Sequence, residues 1–360
     1  MQTTMLMVGD FNPRGTCSYR AAAFERLGLT VHRLDMGTYA NAGGRIPAAL
    51  RIRLMVDPYI FLFNRALEKY HGAINPDVTW FDKPTFLHPQ TLRRMRRRGG
   101  LFIHHNQDNP FSPAPGEPGW RWIIPCIPLF DVNITPRAIS LADYAATGSQ
   151  STLVMPFAFD PLIHYPSRQS LEPPDLPLTF IGFPYDNRPD LINRLGQSGA
   201  RVAIFGDHWK PRQRPTSPNV TCSPGVHGAD YREHIQRALA CLGFVTHSHK
   251  DPNAHRSFEV TAAGGMLLAE RTDGHQAVFE EGRDCLMFSE VKEAADKAAY
   301  LERSPSARQA MAKAGNRRAW RSGYSNDERQ AAILAEVDPS RFGHLPEVAR
   351  KTIARLDPLR

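Results

Sequence analysis

Short apolar segments alternate with amphipathic segments along the chain, and this alternation most constrains its fold. Residues 5–10 (M-L-M-V-G-D) have the pattern of a buried strand, a Gly-containing loop follows, and residues 18–27 have helical spacing before a second strand segment at 30–34. Strand, loop, helix and strand at this spacing predict a parallel βαβ unit. The same reading predicts strands at 78–81, 101–105, 131–135, 151–155, 178–182, 200–205, 241–246 and 266–269, and helices at 59–70, 189–197, 230–240 and 291–301.

A proline-rich stretch between residues 156 and 177 divides this series into two halves. Its composition is typical of a linker. We predict an α/β protein with a first Rossmann-like domain over residues 1–160, a linker over 161–177 and a second Rossmann-like domain over 178–316. In this interpretation the two halves face each other across a cleft, and ligands bind there because parallel sheets bind ligands at the carboxyl ends of their strands.

Length and composition predict a globular protein with two ordinary hydrophobic cores. The chain has 360 residues, of which 42% are hydrophobic and 22% are charged. The first residues lack a basic segment followed by an apolar run, so we expect no signal peptide, and no uncharged run approaches the length of a membrane span. The five cysteines are scattered without a C-x-x-C pair, which indicates reduced thiols in a cytoplasmic protein and argues against a zinc site.

The net charge of +8 is compatible with an anionic partner, and much of the excess is local. The segment 51–54 contains two arginines, and one short predicted helix contains five, namely Arg93, Arg94, Arg96, Arg97 and Arg98. A solvated helix face is one explanation, and peripheral docking of this helix on an anionic membrane surface is the sharper one. No signature of a nucleic-acid-binding module occurs in the sequence, so we expect no nucleic-acid partner.

Residues 251–265, with the sequence D-P-N-A-H-R-S-F-E-V-T-A-A-G-G, are the most informative segment for function. Asp-Pro-Asn is typical of a helix start and Gly-Gly of a helix end. Asp251 is then expected just before a helix and Glu259 about two turns inside it. The free amides of the helix start, with Arg256 and Ser257, would form an anion site, and the two carboxylates could hold hydroxyl groups on both sides of a diphosphate. The plain alternative is that Asp251 is only a cap and Glu259 a solvated helix residue.

Several segments of the second half carry a family resemblance. In chain order they are Phe180-Ile-Gly-Phe with Arg188, Gly199-Ala-Arg-Val-Ala-Ile-Phe-Gly, Pro218-Asn-Val-Thr-Cys-Ser-Pro-Gly-Val, Tyr231-Arg-Glu-His-Ile with Arg256-Ser-Phe-Glu-Val-Thr-Ala-Ala-Gly-Gly, and Phe279-Glu-Glu-Gly-Arg-Asp-Cys-Leu-Met-Phe. Over residues 179–328 they resemble retaining nucleotide-sugar glycosyltransferases of the two-domain GT-B fold, in the branch related to CgeB-type spore-maturation proteins. The resemblance implies a C-terminal region, residues 317–360, in which a helix at 317–337 returns to the first domain.

The resemblance also implies roles for the paired acidic residues. The family's two acidic positions, eight residues apart, fall on Asp251 and Glu259. In relatives the first is usually glutamate and holds hydroxyl groups of the sugar, and the second holds the ribose. Asp251 is therefore a departure from the family pattern, and its shorter side chain bears on which sugar is bound.

Four further residues of the second half match donor-binding positions of the family. Arg188 falls where a basic residue meets the diphosphate, and Lys210 is expected to assist it. Gly225 and Val226 fall on the turn that presents backbone to the nucleobase. Surface positions for Arg188 and Lys210 are the alternative.

Candidates in the first half come from the ends of predicted strands. Gly15, in the loop after the first strand, would let backbone approach the donor phosphates or the acceptor, or it makes a plain strand–helix turn. His104 and His105 end a strand and Asp108 follows, so one of them would bind a donor hydroxyl or take the acceptor's proton. A His–Asp pair that stiffens the loop is the alternative. His164, His247 and His249 lack metal-ligand spacing, so we expect no metal and no cofactor beyond the donor substrate.

These observations predict a glycosyltransferase that moves a sugar from a nucleoside-diphosphate sugar to an acceptor, with retention and without a metal. Two alternatives stay open. A sugar-nucleotide epimerase of the same fold would consume the donor without an acceptor. A non-catalytic surface-assembly or membrane-associated protein would keep the fold, and the arginine helix would then be its main feature. The sequence does not identify the donor or the acceptor, which is a glycan, a protein, a lipid or a small molecule.

Overall fold

The computed structural model describes residues 3–12, 15–40, 42, 57–112, 119–167 and 172–358. The chain forms two compact units. The first unit comprises Met1–Pro156 and Arg329–Ala349, and the second comprises Phe157–Glu328 and Arg350–Arg360. The described part of the segment predicted as a linker therefore belongs to the second unit, and the arginine-containing segment 51–54 lies outside the described residues.

The first unit contains a six-stranded sheet in which all neighbouring strands are parallel. Its strand order is β2-β1-β3-β4-β5-β6. The strands are β1 (Thr4–Gly9), β2 (Thr30–Asp35), β3 (Val78–Asp82), β4 (Leu101–His105), β5 (Val132–Thr135) and β6 (Thr152–Val154). The helices up to this point are α1 (Thr16–Arg26), α2 (Gly37–Ala40), α3 (Pro58–Ile74), α4 (Pro89–Arg96), α5 (Trp120–Ile123) and α6 (Leu141–Ala146).

The second unit contains another six-stranded parallel sheet, with the order β12-β11-β10-β7-β8-β9. The strands are β7 (Leu176–Ile181), β8 (Val202–Phe205), β9 (Val220–Ser223), β10 (Ala238–Gly243), β11 (Leu267–Glu270) and β12 (Leu286–Phe288). The remaining helices of the chain are α7 (Arg188–Gln197), α8 (Gly228–Arg237), α9 (His255–Ala262), α10 (Asp273–Val278), α11 (Val291–Arg303), α12 (Pro305–Arg321), α13 (Asn326–Val337), α14 (Pro339–Phe342) and α15 (Leu345–Leu356).

Both faces of each sheet are covered, which explains why the strand segments are continuous apolar runs. In β1, Met5 and Met7 pack in one core and Leu6 and Val8 in another, and all four are fully buried. Successive side chains of a strand point to opposite faces, so an uninterrupted apolar run supplies both cores. The prediction of an α/β protein with parallel sheets is confirmed.

Two predicted boundaries are wrong for identifiable reasons. The helix predicted over 230–240 ends at Arg237, because the apolar run from Ala238 pairs with β7 instead. The single helix predicted over 317–337 is two helices, since α12 ends at Arg321 and Gly323 (φ 76°) breaks the path. No helix within the described residues has both the length and the apolar character needed to cross a membrane.

Each sheet has one point where the strand order reverses, and such a point marks the crevice in which open α/β sheets bind ligands. In the first unit it lies between β1 and β3, and in the second between β7 and β10. The carboxyl ends of these strands are Gly9 and Asp82 in the first unit, and Ile181 and Gly243 in the second. Functional side chains are expected to gather at these ends.

Candidate active site

Arg188, the first residue of α7, lies at the reversal point of the second sheet. Its Nη2 lies 3.2 Å from the carbonyl oxygen of Val245 and 3.0 Å from Thr246 Oγ1, both just after β10, and its Nη1 lies 3.4 Å from the carbonyl oxygen of Phe183, just after β7. The residue is 8% exposed and, within the described part of the chain, forms no ion pair. Its guanidinium also lies over the rings of Phe180, at 5.8 Å, and Tyr185, at 5.5 Å. Arginine is always charged, so this places at the carboxyl edge a cation that, within the described residues, no carboxylate pairs with.

Arg256 places a second cation at the same edge. A Cβ atom added to Gly182 would come within 3.7 Å of Arg256 Nη2, so this guanidinium borders the end of β7. Burial lowers the pKa of Arg188 and the charge of Arg256 lowers it further, while Asp186 and Asp251 act in the opposite direction. The charge of Arg256 therefore acts against that of Arg188, and an anion bound between them would relieve this repulsion.

Helix α9, which carries Arg256 and Glu259, begins later than the sequence indicated. It starts at His255 with Ala254 as an uncapped N-cap, so Glu259 lies about one turn inside it, not two. The Ala254 amide donates to His275 Nε2 at 3.1 Å, and the carbonyl oxygen of Glu270 lies 2.7 Å from His275 Nδ1. Burial lowers the pKa of His275 to about 4, so the neutral ring accepts at Nε2 and donates at Nδ1.

The predicted end of α9 is confirmed. Gly264 has a left-handed φ of 81° and its amide donates to the carbonyl of Thr261 at 3.1 Å. The amide of Gly265 donates to the carbonyl of Val260 at 3.0 Å. This pair of bonds is the Schellman motif that glycine favours after a helix.

Glu259 is a buried carboxylate that a tyrosine fixes in place. Tyr231 on α8 donates its hydroxyl proton to Glu259 Oε2 at 2.6 Å and accepts from Arg256 Nη1 at 2.6 Å. Arg256 Nη1 is 3.9 Å from the same carboxylate oxygen, beyond hydrogen-bond distance. Within the described residues Glu259 Oε1 receives no hydrogen bond, so one oxygen is held by the protein and the other is available to a ligand hydroxyl.

Two histidines border the available oxygen of Glu259. His164 Nε2 lies 3.7 Å and His255 Nε2 3.8 Å from Oε1. Burial raises the pKa of Glu259, but the charges of His255, His164 and Arg256 outweigh it and hold the pKa at about 2. Because the amide of Asp160 donates to His164 Nδ1 at 3.1 Å, the neutral His164 ring carries its proton on Nε2, facing the carboxylate.

Asp251 lies in the loop before α9, as predicted. Its side chain is partly exposed, and its amide lies 3.2 Å from the carbonyl oxygen of Thr246, which also follows β10. Its carboxylate acts on the charge of Arg188. Asp251 therefore belongs to the same edge as the two cations, while Glu259 lies deeper.

The turn predicted to meet a nucleobase is held by an aspartate that the sequence did not single out. The Gly225 amide lies 3.2 Å from Asp207 Oδ1, and a Cβ at Gly225 would come within 2.8 Å of Asp207 Oδ2. Only glycine fits this contact without a shift. Val226 packs at the margin of the hydrophobic core, and Lys210 is exposed, next to the buried Trp209.

Ser257 is buried inside the protein, and its side chain is not open to a ligand. The residue is fully buried, its Oγ lies 2.9 Å from His275 Nε2, and its amide donates to the carbonyl of Ala254. Three residues of this site were not candidates from the sequence, namely His275, Tyr231 and His164. Tyr231 stood inside the quoted motif without a role, and the other two carried no local signal.

The reversal point of the first sheet holds a buried charge cluster. Arg20 pairs with Asp82 through two bonds, Nε to Oδ2 at 2.6 Å and Nη2 to Oδ1 at 2.8 Å. His105 Nδ1 lies 3.2 Å from Asp82 Oδ2, and Trp80 Nε1 donates to that oxygen at 3.3 Å. Burial raises the pKa of Asp82, but Arg20 and His105 hold it well below its usual range.

The other first-unit candidates lie in different surroundings. His104 is fully buried, its Nδ1 lies 2.9 Å from Asn133 Oδ1, and burial lowers its pKa to about 4. Asp108 forms an ion pair with Lys83 at 2.5 Å, while His105 pairs with Asp82. Gly15 is the N-cap of α1, with an extended φ of −97° that any residue can adopt.

The arginine-rich segment is only partly helical. Arg93, Arg94 and Arg96 are on α4, and Arg97 and Arg98 follow it. Arg94 pairs with Glu68 at 2.8 Å and Arg96 with Asp131 at 2.9 Å, and Arg98 Nη1 donates to the carbonyl of Glu68. Arg93 and Arg97 are exposed and form no ion pair within the described residues. Among the described histidines, cysteines and acidic residues, no group of three or more is placed to hold a metal ion.

Comparisons with known proteins agree with this architecture. Residues 188–335 match the family described as "Glycosyl transferase-like". No curated protein sequence matches the chain. Sucrose-phosphate synthase from Thermosynechococcus elongatus has 13% identity and a TM-score of 0.67, with 95% of this chain and 100% of that chain covered. HepE from Anabaena in complex with UDP and glucose has 13% identity and a TM-score of 0.62, with 93% and 100% covered.

A third similar structure is a protein from Listeria monocytogenes assigned as a UDP-N-acetylglucosamine 2-epimerase. It has 12% identity and a TM-score of 0.56, with 94% of this chain and 98% of that chain covered. At such identities the similarity concerns the fold. The chain has the GT-B fold, with two Rossmann-like α/β units, and its second unit carries a glycosyltransferase-like domain.

Proposed function

We propose that the protein is a glycosyltransferase that moves a sugar from a nucleoside-diphosphate sugar to an acceptor. The observation that carries this proposal is the pair of cations, Arg188 and Arg256, at the reversal point of the second sheet, with Glu259 held open beside them. A diphosphate needs two or more positive groups, and a ribose or sugar hydroxyl needs a fixed acceptor. The match of residues 188–335 to a glycosyltransferase-like family supports the same conclusion.

In the proposed complex, Arg188 and Arg256 bind the diphosphate at the positive end of the α9 helix dipole. Glu259 accepts from the ribose through Oε1, and Asp251 binds sugar hydroxyls at the exposed rim. Backbone at Gly225 and Val226 meets the nucleobase, because Asp207 holds this turn at the end of β9. We assign Ser257 a packing role since its hydroxyl is buried, and Lys210 an outer, electrostatic one.

The chemistry follows from where charge develops. As the bond between the anomeric carbon and the β-phosphate oxygen breaks, the electron pair leaves with the diphosphate and negative charge grows on it. Arg188, Arg256 and the α9 dipole would stabilise this charge, which is the role a divalent ion has in metal-dependent transferases, so we propose a metal-independent reaction. The anomeric carbon becomes oxocarbenium-like, and the acceptor oxygen bonds to it from the face of the leaving group, with retention. The acceptor's proton passes to the departing diphosphate.

For the first unit we propose His105, rather than Asp108, as the residue that accepts a hydrogen bond from a hydroxyl group of the donor or the acceptor. Asp82 lies next to His105 Nδ1, so in the neutral ring Nε2 has the basic lone pair, whereas the carboxylate of Asp108 is neutralised by Lys83. Gly15 is proposed only as part of the strand–helix turn. We propose a place in the CgeB-like branch on the quoted motifs, and a solvated rather than membrane-docked arginine helix, because Glu68 and Asp131 pair with it.

A thermal-shift screen against UDP, GDP, TDP and ADP and their sugars tests the donor site. We expect one base class to raise the melting temperature, since a ligand at 100 times its Kd stabilises by about 2.7 kcal/mol. Glu259→Ala should weaken binding of that nucleotide, and Asp251→Ala should lower turnover. Glu302→Ala, an exposed glutamate of the same unit, is the matched control. Unchanged affinity and rate in both site variants would reject these assignments.

The epimerase of similar fold makes epimerisation the second candidate. The two reactions differ in their products. A transferase releases the nucleoside diphosphate and needs an acceptor, whereas an epimerase returns an intact nucleotide sugar with one inverted centre. NMR of the nucleotide sugar after incubation with the protein alone separates the two, because a new intact epimer would replace the transferase proposal.

A further inference from the structure

A second cavity lies at the opposite edge of the second unit's sheet. It has a volume of about 460 Å³ and is lined by Ala238 at the start of β10, by Met266 just before β11, and by Gly264 and Gly265 after α9. These residues mark the amino ends of the strands, whereas the proposed donor site follows the carboxyl ends. A cavity of this size falls in the range of small-molecule sites.

A buried arginine without a partner lines this cavity. Arg308 on α12 is 8% exposed, and within the described residues its side chain forms no hydrogen bond or ion pair. Burial lowers the pKa of Arg308, yet a guanidinium stays charged at neutral pH. The guanidinium is accessible from the cavity, and an anion bound there would make a charge-assisted contact with it.

The same face of α12 adds further positive charge. Lys313 and Arg317 line the cavity with Arg308, and Glu172 is the acidic residue among the described lining. Asn316 on this face donates to the carbonyls of Thr261 at 2.9 Å and Ala262 at 2.7 Å, which fastens α12 to the end of α9. The cationic wall is therefore built on packed helices.

Apolar residues form much of the remaining lining, beside Gln236 and Gln309; they include Pro166, Pro174, Ala238, Met266 and Ala312. A free phosphate ion would leave this surface uncovered, and a neutral apolar molecule would leave Arg308 unpaired. We propose that the cavity binds a small amphiphilic anion, with its phosphate or carboxylate against Arg308 and a short apolar body against the prolines and Met266.

Isothermal titration with octyl phosphate, below its micelle concentration, tests this site in the full-length protein. We expect saturable binding that Arg308→Gln weakens by at least about tenfold, because a charge-assisted contact is lost. Arg303→Gln, which removes an exposed arginine at the end of α11, should keep the affinity within about twofold. Octanol and inorganic phosphate alone should bind far more weakly than octyl phosphate, since each supplies one half of the recognition.

Two further measurements keep the test decisive. Arg308→Met should keep the melting temperature of the free protein at or above that of the wild type, since the arginine makes no hydrogen bond or ion pair within the described residues, so loss of binding cannot be attributed to unfolding. Excess UDP, GDP, TDP or ADP should leave octyl phosphate binding unchanged, which separates this cavity from the donor site. Equal binding by the wild type and Arg308→Gln, displacement by a nucleotide, or binding only to phosphatidic acid vesicles would overturn the proposal.

Discussion

The carboxyl edges of the two sheets have the same topology but opposite charge arrangements. In the first unit, Arg20 makes two bonds to Asp82, so the buried cation at the reversal point is neutralised within the protein. In the second unit, the hydrogen bonds of Arg188 go to carbonyl and hydroxyl oxygens, and Arg256 lies 3.9 Å from the nearest carboxylate oxygen of Glu259. Within the described residues, the cation is therefore hydrogen-bonded to a carboxylate at the first edge, and neither cation is at the second.

The difference in charge pairing indicates which edge can bind an anion. A cation that already has two short bonds to a carboxylate gains little from a phosphate, because binding would require breaking the pair. Carbonyl oxygens hold a cation in position without neutralising its charge, so a bound phosphate supplies the opposite charge. The fold alone predicts a crevice in both units, and the pairing of charges decides their roles.

The largest expected effect comes from removing the carboxylate charge that neutralises Arg20 in the first unit. Asp82→Asn leaves Arg20 buried without its counter-charge, so we expect a loss of about 3–5 kcal/mol in the free energy of unfolding. Urea unfolding measures it. Glu68→Gln, which breaks the surface pair with Arg94, is the matched control and should cost at most about 1 kcal/mol. Equal losses for the two variants would contradict a structural role for the Asp82 cluster.

The next effect is a loss of stability in acid that both units share. The pKa of His104 in the first unit and of His275 in the second is lowered to about 4 by burial. A histidine in the unfolded chain has a pKa near 6.5. Between about pH 6.5 and pH 4 the unfolded chain therefore binds more protons than the folded protein, and the free energy of unfolding falls as the pH drops through this range. The loss is on the order of 3 kcal/mol for each ring.

Urea unfolding at pH 7, 6 and 5 measures this dependence. His275→Gln should reduce the pH dependence of the free energy of unfolding of the second unit and leave that of the first unit unchanged. His104→Gln should have the opposite effect. Variants that retain Trp80 or Trp209 as the single tryptophan report the first or the second unit separately by fluorescence. A slope that neither substitution changes would show that other groups control the acid response.

Arg188→Gln should reduce nucleotide affinity while Arg20 stays in place. We expect binding of the preferred nucleoside diphosphate to weaken by about 10–100-fold, because one charge-assisted contact is lost. Arg188→Lys keeps the charge but loses the planar, forked geometry of the guanidinium. Its affinity for the nucleotide should lie between those of the wild type and Arg188→Gln. Arg194→Gln, on an exposed position of the same helix, is the control for net charge. Titration calorimetry gives the affinities, and an Arg188→Gln protein that binds as tightly as the wild type would remove this edge as the donor site.

The local parts of this architecture were predictable from sequence. Strands β1 and β4 and helix α11 lie where apolar runs and helical spacing indicated, since both signals arise from residues close together in the chain. The end of α9 was also predictable, because Gly264 and Gly265 supply the geometry of a helix stop by themselves. The roles of Asp251 and Glu259 rest on family resemblance and stay predictions.

The non-local parts were not predictable. Asp-Pro-Asn looked like a helix cap, but His275, 21 residues further along, accepts from the Ala254 amide and determines where α9 begins. His105 and Asp108 were separate candidates near the end of β4, and the fold brings His105 to Asp82, 23 residues away. No spacing rule finds such pairs, because parallel strands bring together residues from separate segments.

The smallest expected effect concerns arginines that lie away from both edges. Arg93 and Arg97 are exposed and have no carboxylate partner within the described residues, so the double variant Arg93→Gln/Arg97→Gln should change the free energy of unfolding by no more than about 0.5 kcal/mol. If the segment is a solvated face, sedimentation with vesicles of anionic lipid should give the same bound fraction for this variant and the wild type. A membrane-docking segment would lose about 1 kcal/mol per arginine near the surface, and about fivefold weaker vesicle binding per arginine would establish docking. The pairs of Arg94 with Glu68 and Arg96 with Asp131 favour the first outcome, because charges neutralised within the protein contribute little attraction to a membrane.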